Sequence, residues 1–133
     1  IAAPTLAAQD EIHLFGLLEK MNVLATTQRD MLTTASAEYL SAYTLFKTSK
    51  APGESIGVVQ AQGLKFIDQA SEESRRRRER LEKVSLALAE QSRSAPPDRQ
   101  DIYQSVSSAY ATTSATYGKI AEDLVKKKAS FLP

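Results

Sequence analysis

Cysteine and tryptophan are absent from this chain of 133 residues, and histidine occurs once. Without cysteine the chain forms neither disulfides nor thiolate metal sites, and such a composition fits a reducing cytoplasm. No apolar run in the sequence approaches the roughly 20 residues that a membrane-spanning helix needs. The first residues also lack the basic-then-apolar layout of a signal peptide. We therefore expect a cytoplasmic protein that holds no metal and no cofactor.

An excess of charge of one sign is absent as well, because 17 lysines and arginines face 16 acids and the net charge is +1. A global basic field is what drives non-specific binding of nucleic acid, so nucleic acid is not an expected partner. The length of the chain is typical of one domain. We expect a single helical domain over residues 1–133.

The side chains that most enzymes use for catalysis are scarce. His13 is the single histidine, so the chain can supply neither a convincing Ser–His–acid arrangement nor the two Glu-x-x-His motifs of a helical di-iron site. Glu72 and Glu73 are adjacent and point to different sides of a helix, so they cannot act as a facing pair of carboxylates. The sequence predicts a protein that is not an enzyme, with His13 at its surface.

Proline and glycine interrupt the helical pattern at two places. The first is SKAPGES, which contains Pro52 and Gly53, and the second is SRSAPPDRQD, which contains Pro96 and Pro97. Proline ends one helix and suits the first turn of the next, so these breaks divide the chain into three helices. The predicted helices span residues 8–49, 54–92 and 98–129.

Helices of these lengths predict an all-α fold, an elongated antiparallel bundle of three long helices in up-down-up order. Each helix would be about 60 Å long at 1.5 Å per residue. A bend at Gly16 or Gly63 would divide one rod and give four helices, and the sequence leaves both arrangements open. A bundle of thin rods has a thin core, so we also expect self-association into a homo-oligomer.

Two rows of apolar side chains run along the first predicted helix. Together they form a stripe three positions wide per heptad, which is typical of a helix in a bundle. The row with 3-4 spacing consists of Leu14, Leu17, Met21, Leu24, Met31, Ala35, Ala42 and Leu45. The row beside it recurs every seventh residue and consists of Leu18, Ala25, Leu32, Tyr39 and Phe46.

The stretch SEESRRRRER, residues 71–80, is entirely polar and separates the two apolar halves of the second helix. Acid-before-base pairs four residues apart, such as Glu72 with Arg76 and Glu73 with Arg77, stabilise an exposed helix by about 0.2–0.5 kcal/mol each. We interpret the stretch as a solvated, salt-bridged face. The alternative is a patch for an anionic partner, formed by Arg75, Arg76, Arg77, Arg78 and Arg80.

An antiparallel hairpin about Pro52 would place Arg76 opposite Gln28, where the apolar rows of the first helix are weakest. We therefore expect a hydrated layer in the middle of the rod, with Arg77 within reach of Gln28 or Asp30.

Small side chains dominate the third helix, as in SVSSAYATTSATYG. Weak apolarity predicts a loosely packed helix that could open and lay its apolar stripe on another surface. Tyr103, Tyr110 and Tyr117 recur every seventh residue in it, and we interpret them as core packing with hydroxyls that reach the rim.

The stretch LFKTSKAPGESIGVVQAQGLKFIDQASEESRRRRERLEKVS resembles the central region of the phasins, helical proteins that coat polyhydroxyalkanoate storage granules. Pro52, Glu54 and Gln60 stand where that family has a proline, an acid and a glutamine around the break between two long helices, with Gly53 as an extra residue. APPDRQDIYQSVSSAYATTSATYGKIAEDLVKK is similar to a later helix of some members. The resemblance covers residues 35–128, although the arginine run is denser and alanine scarcer than the family pattern.

The resemblance implies a protein without catalytic residues that coats the apolar polyester surface of a granule in the cytoplasm. The side chains expected to make that apolar contact, or an oligomer contact, are Leu14, Leu17, Leu18, Met21, Leu24, Leu64, Phe66 and Ile67. One alternative is a helical protein–protein interaction module, such as an effector, adaptor or sensor domain. Another is a helical dimer at a membrane surface, where the arginine run and Lys126–Lys128 would face anionic lipid.

Overall fold

The computed structural model describes residues 8–133, and these form three long helices and one short turn of 3-10 helix. The elements are α1 (Ala8–Thr48), α2 (Gly53–Ser94), α3 (Pro97–Lys128) and η1 (Ala129–Phe131). All three long helices begin and end within two residues of the predicted bounds, and residues 1–7 of the predicted domain lie outside the described residues. Gly16 and Gly63 lie inside unbroken helices, so the three-helix prediction is confirmed and the four-helix alternative is wrong.

Contacts between the helices show an up-down-up bundle, as the breaks predict. α1 and α2 run antiparallel, α2 and α3 run antiparallel, and α1 and α3 run parallel. The pairs that fix these directions are Tyr39 with Phe66, Ser85 with Ser107, Ser92 with Gln100, Arg29 with Asp123, and Ser36 with Lys127. At 1.5 Å per residue α1 and α2 are each about 60 Å long, so the bundle is elongated.

α2 and α3 form the most extensive interface of the bundle, and small hydroxyl side chains line it. The Ser85 hydroxyl donates to the Ser107 carbonyl at 2.8 Å, and the Ser107 hydroxyl donates back to the Ser85 carbonyl at 2.7 Å. Farther along, the Ser114 hydroxyl donates to the Arg78 carbonyl at 2.9 Å. Each bond joins a side chain of one helix to the backbone of the other, which small residues allow because the two backbones approach closely. The expectation of a loosely packed third helix is therefore wrong along this interface.

α1 packs on the α2–α3 pair through side chains that change register along its length. Leu18 and Ala25 are buried and seven residues apart, whereas Ser36 and Tyr43 are the buried positions farther along. The step from Ala25 to Ser36 is eleven residues, which is three turns of a straight α-helix. A strict seven-residue row drifts by about 20° per heptad around such a helix. The core-facing position therefore moves to a new row midway along α1.

The chain closes one end of the bundle with Phe131, which is fully buried. Its ring stacks on Tyr43 with centroids 5.8 Å apart and lies directly over Gly63, where a Cβ atom would overlap it. The Phe131 carbonyl accepts a hydrogen bond of 2.7 Å from the Gln60 amide. Ile67, 1% exposed, belongs to the same cluster. These contacts form an apolar core at this end of the bundle.

The turn from α1 to α2 depends on one strained backbone conformation. Lys50 has φ = 56°, in the left-handed region that glycine prefers. The backbone amide of Lys50 donates to the Lys47 carbonyl, and that of Ala51 donates to the Phe46 carbonyl. This pair of bonds is the Schellman arrangement that ends many helices. Lys50 therefore stands at a position where a residue without a Cβ atom would be less strained.

Candidate functional site

The outward side of α1 carries a row of exposed apolar side chains. Leu17, Leu24, Met31 and Leu45 keep 49%, 67%, 62% and 62% of their surface accessible. We call these four residues the outer row. Exposed apolar side chains are ordinary when scattered, but these four share one heptad position along α1, which is interrupted by Glu38 between Met31 and Leu45. A row of this kind is an apolar surface that can contact something outside the bundle.

The outer row lies outward because neighbouring residues on a helix are separated by about 100°. Leu17 and Leu24 directly precede Leu18 and Ala25, which point into the bundle and are buried. The same drift that moves the core position along α1 turns the outer row progressively farther from the core. Of the predicted contact residues on α1, Leu17 and Leu24 are thus exposed, Leu14 and Met21 are half-buried, and Leu18 is buried.

The surface around the second half of the outer row carries almost no charge. From residue 31 to residue 46 Glu38 is the single ionisable acid or base apart from tyrosine hydroxyls. The exposed side chains beside the row are small or bear a hydroxyl, and they are Thr33, Thr34, Ala37, Ser41 and Thr44. Burial of a hydroxyl costs far less free energy than burial of a charge, and a hydrogen bond to the covering surface offsets that cost. The outward side of α1 from residue 31 to residue 46 is therefore suited, apart from Glu38, to contact with an apolar surface.

The second predicted apolar cluster, on α2, packs inside the bundle. Ile67 is buried in the aromatic core. Phe66 stacks on Tyr39 with ring centroids 5.0 Å apart, and Leu64 is partly buried against the same cluster. These three residues hold α2 to the other helices, because their apolar area is already covered by the chain itself. The outer row is consequently the part of the predicted contact surface that stays accessible.

The arginine run forms the ion pairs that its spacing predicts. Glu72 pairs with both Arg75 and Arg76, and Glu73 pairs with Arg77 at 3.1 Å. All of these side chains are more than a third exposed, and exposed pairs of this kind contribute about 0–1 kcal/mol each. Among the residues that the structure describes, Arg78 and Arg80 have no carboxylate within 4.0 Å. Three arginines of the run thus form solvated ion pairs, and Arg78 and Arg80 are unpaired cations.

Arg77 lies at the junction of the three helices. Its guanidinium donates to the Tyr117 hydroxyl at 3.4 Å and is 5.6 Å from the centre of that ring. The hydrogen bond to Tyr117 raises the pKa of Arg77, with a smaller contribution from Glu73 and against an opposing effect of burial. Arg77 and Gln28 line one cavity of about 360 Å³, so the predicted facing of the two polar stretches is present. Arg77 nevertheless bonds to Tyr117 and Glu73 rather than to Gln28 or Asp30.

Tyr117, the partner of Arg77, could not be predicted from the sequence. A phenol beside an arginine on another helix has no local signal, because the two residues are 40 positions apart. The register of the α2–α3 serines was missed too. Their spacing was a usable signal, since Ser74, Ser85 and Ser92 on α2 are eleven and seven residues apart. Eleven and seven residues are nearly whole numbers of helical turns, so all three lie on one face.

His13 is exposed at its place in α1. In residues 8–133 no group of three or more histidines, cysteines, aspartates and glutamates is placed to hold a metal ion. Over the same described range, no helix contains a segment both long and apolar enough to cross a bilayer.

Comparison with known proteins gives no assignment. No family model matches the chain, and no curated protein and no solved structure is significantly similar to it. The resemblance to the phasins therefore stays a prediction.

Proposed function

We propose that the protein is a non-enzymatic helical coat protein that binds the apolar surface of polyhydroxyalkanoate granules in the cytoplasm. The observation that supports this proposal is the outer row, four exposed apolar side chains on the outward side of α1, with Lys20 and Glu38 as the charged side chains among them. A polyester surface offers apolar area and ester carbonyls but no charge. The outer row would cover the apolar area, and the neighbouring threonine and serine hydroxyls could donate to the carbonyls.

The arginine run has a different part in this proposal. Charged side chains concentrate on α2, where Arg75, Arg76 and Arg77 already have acidic partners and stay hydrated. A face of this kind gains nothing from contact with a neutral polyester. It would remain in water and keep coated particles apart.

The experiment is co-sedimentation of the purified protein with polyhydroxybutyrate particles, at low and high salt, beside neutral and anionic liposomes. Apolar contact is insensitive to screening, so binding to the polyester should persist at high salt. Anionic liposomes should bind weakly and lose the protein as salt is added. An absence of binding to the polyester would refute the proposal.

A second candidate is a helical interaction module whose outer row contacts a helix of another protein or of a second copy. The 3-4 spacing of Leu17, Met21 and Leu24 favours it, because a coiled-coil partner inserts side chains at that period. This candidate predicts a stable dimer in solution, measured by light scattering, and no affinity for polyester. A third candidate is a helical dimer at an anionic membrane surface, which the unpaired Arg78 and Arg80 favour. Salt-sensitive binding to anionic liposomes would reveal this function.

A further inference from the structure

Helix α1 is attached to the rest of the bundle unevenly. Its residues in the aromatic core all lie in its second half, and they are Leu32, Tyr39, Leu40 and Tyr43. The side-chain hydrogen bonds that join α1 to α3 begin at Arg29, which donates to Asp123 at 2.9 Å, and continue at Ser36, which accepts from Lys127 at 3.2 Å. The second half of α1 is therefore fixed in the bundle by aromatic stacking and by hydrogen bonds.

The first half of α1 has weaker attachments. We call residues 10–25 the arm, and Leu18 and Ala25 are the buried residues within it. In the described part of the chain, no side-chain hydrogen bond and no ion pair joins the arm to α2 or α3. Segments with few buried apolar contacts open locally at a lower free energy than the whole protein. The arm can therefore separate from α2 and α3 while the rest of the bundle stays folded.

Asn22 destabilises the docked position of the arm. Its side-chain amide oxygen is buried and has no hydrogen-bond partner among the described residues. Asn22 stands seven residues before Arg29, which bonds to α3, so it lies on the same side of the helix. A buried polar atom without a partner has lost its hydration and gained no bond in return. Separation of the arm would return water to this atom.

Thr26 marks the end of the arm. Its hydroxyl donates to the Asn22 carbonyl, four residues earlier, at 3.0 Å. Hydroxyl bonds of this kind weaken helices and often bend them. Three residues after Thr26, the ion pair of Arg29 with Asp123 begins the fixed half. Residues 26–28 are therefore the place where α1 can bend when the arm separates.

The arm carries an apolar stripe that the bundle divides. The stripe spans about 120° of the helix circumference, and it consists of Leu14, Leu17, Leu18, Met21 and Leu24. In the docked position one of these five side chains is buried, two are half-buried and two are exposed. A separated arm would present all five to one surface.

We propose that the arm separates from α2 and α3 at an apolar surface and lays its whole stripe on that surface, while the second half of α1 stays in the bundle. The surface is the polyester, so this arrangement rests on the function proposed above. Glu19 and Lys20, the charged residues between the ends of the stripe, lie outside it and would stay in water. The α2–α3 pair keeps its own hydrogen bonds between Ser85 and Ser107. In water the docked position covers the inner side of the stripe, and the polyester would replace that cover.

Hydrogen exchange of the free protein tests whether the arm opens, independently of any binding. The backbone amides of residues 18–25 should exchange at least about tenfold faster than those of residues 107–114, because the arm opens without the rest of the bundle. The two segments are matched, since each begins ten residues after the first residue of its helix. Equal exchange of the two segments would overturn the separation of the arm.

A covalent lock tests whether the arm separates at the polyester. The chain has no cysteine, so Met21→Cys and Leu81→Cys, at two residues that line one cleft, can be joined by a disulfide or by a short bismaleimide. Linkage should weaken binding to polyhydroxybutyrate particles by about tenfold or more relative to the unlinked variant, because the inner side of the stripe stays covered. The matched control is Leu32→Cys with Ala70→Cys, at two residues that line one cavity in the fixed half. Linkage of this control should leave binding unchanged.

The outcomes separate the arm from the coat function. Equal binding of the linked and unlinked forms of the Met21→Cys, Leu81→Cys variant would overturn the proposal and leave the coat function standing. Equal weakening by linkage of the control variant would overturn the proposal as well. Absence of binding by the parent protein would refute the coat function and with it this use of the arm, whereas hydrogen exchange would still decide whether the arm opens.

Discussion

Replacing the outer row with glutamine should abolish adsorption to polyester while the fold is kept. Leu17, Leu24, Met31 and Leu45 are half to two-thirds exposed, so substitution removes little that the bundle needs. Glutamine has nearly the helix propensity of leucine and methionine. The free energy of unfolding should therefore change by less than about 0.5 kcal/mol per site, as for most surface substitutions.

The magnitude of the loss follows from the accessible area. Complete burial of a leucine or methionine side chain is worth about 1.5–3 kcal/mol. At half to two-thirds exposure, each residue of the outer row can contribute about 1 kcal/mol when a surface covers it. The quadruple variant should therefore lose about 4 kcal/mol of binding free energy, which is roughly a thousandfold in affinity.

The assay is a binding isotherm on polyhydroxybutyrate particles at high salt, for the quadruple variant and for a matched control. The control carries the same four substitutions at similarly exposed apolar residues on α2, on α3 and near the chain's end, namely Val58, Leu86, Val125 and Leu132. The control should bind within about tenfold of the parent protein. Equal losses in the two variants would refute the assignment of the contact to α1, and so would a quadruple variant that binds as tightly as the parent.

Three further predictions concern stability and are measured by urea unfolding. Gly63→Ala should lower the free energy of unfolding by about 1–3 kcal/mol, because the added Cβ atom overlaps the Phe131 ring. Gly57→Ala has open space around it and should raise the free energy of unfolding by up to about 1 kcal/mol. Equal effects of the two substitutions would contradict this packing. Lys50→Gly should stabilise by about 1 kcal/mol because it relieves the left-handed strain, and a loss would show that the turn is not strained. Ser107→Leu should destabilise by at least about 1 kcal/mol by forcing α2 and α3 apart, and a neutral result would refute the close approach.

The helices and their order could be predicted because the signals are local. Pro52 and Gly53 end one helical pattern, Pro96 and Pro97 end the next, and the structure places its breaks there. Connections this short allow only an antiparallel neighbour. Counting residues from the turn at Pro52 places Arg76 opposite Gln28, and in the structure it is the next residue, Arg77, that shares a cavity with Gln28.

The side of each helix that faces the core could not be predicted as well as the helix bounds and their order. The two apolar rows of α1 look equivalent in sequence, and only packing on α2 and α3 decides that Leu18 is buried while Leu17 is exposed. A pattern that recurs every seventh residue also fails to predict the eleven-residue step between the buried positions Ala25 and Ser36. The serines of the α2–α3 interface were read as weak apolarity, although buried hydroxyls that bond across two helices favour close packing.

We propose that the outer row of α1, and not the arginine run, touches the polyester. The absence of cysteine allows a single environment-sensitive dye to be attached at either place, through Met31→Cys or Arg76→Cys. With polyhydroxybutyrate particles at high salt, the dye at position 31 should shift its emission to the blue and become protected from iodide quenching. The dye at position 76 should do neither. A blue shift at position 76 with none at position 31 would show instead that the arginine run touches the polyester.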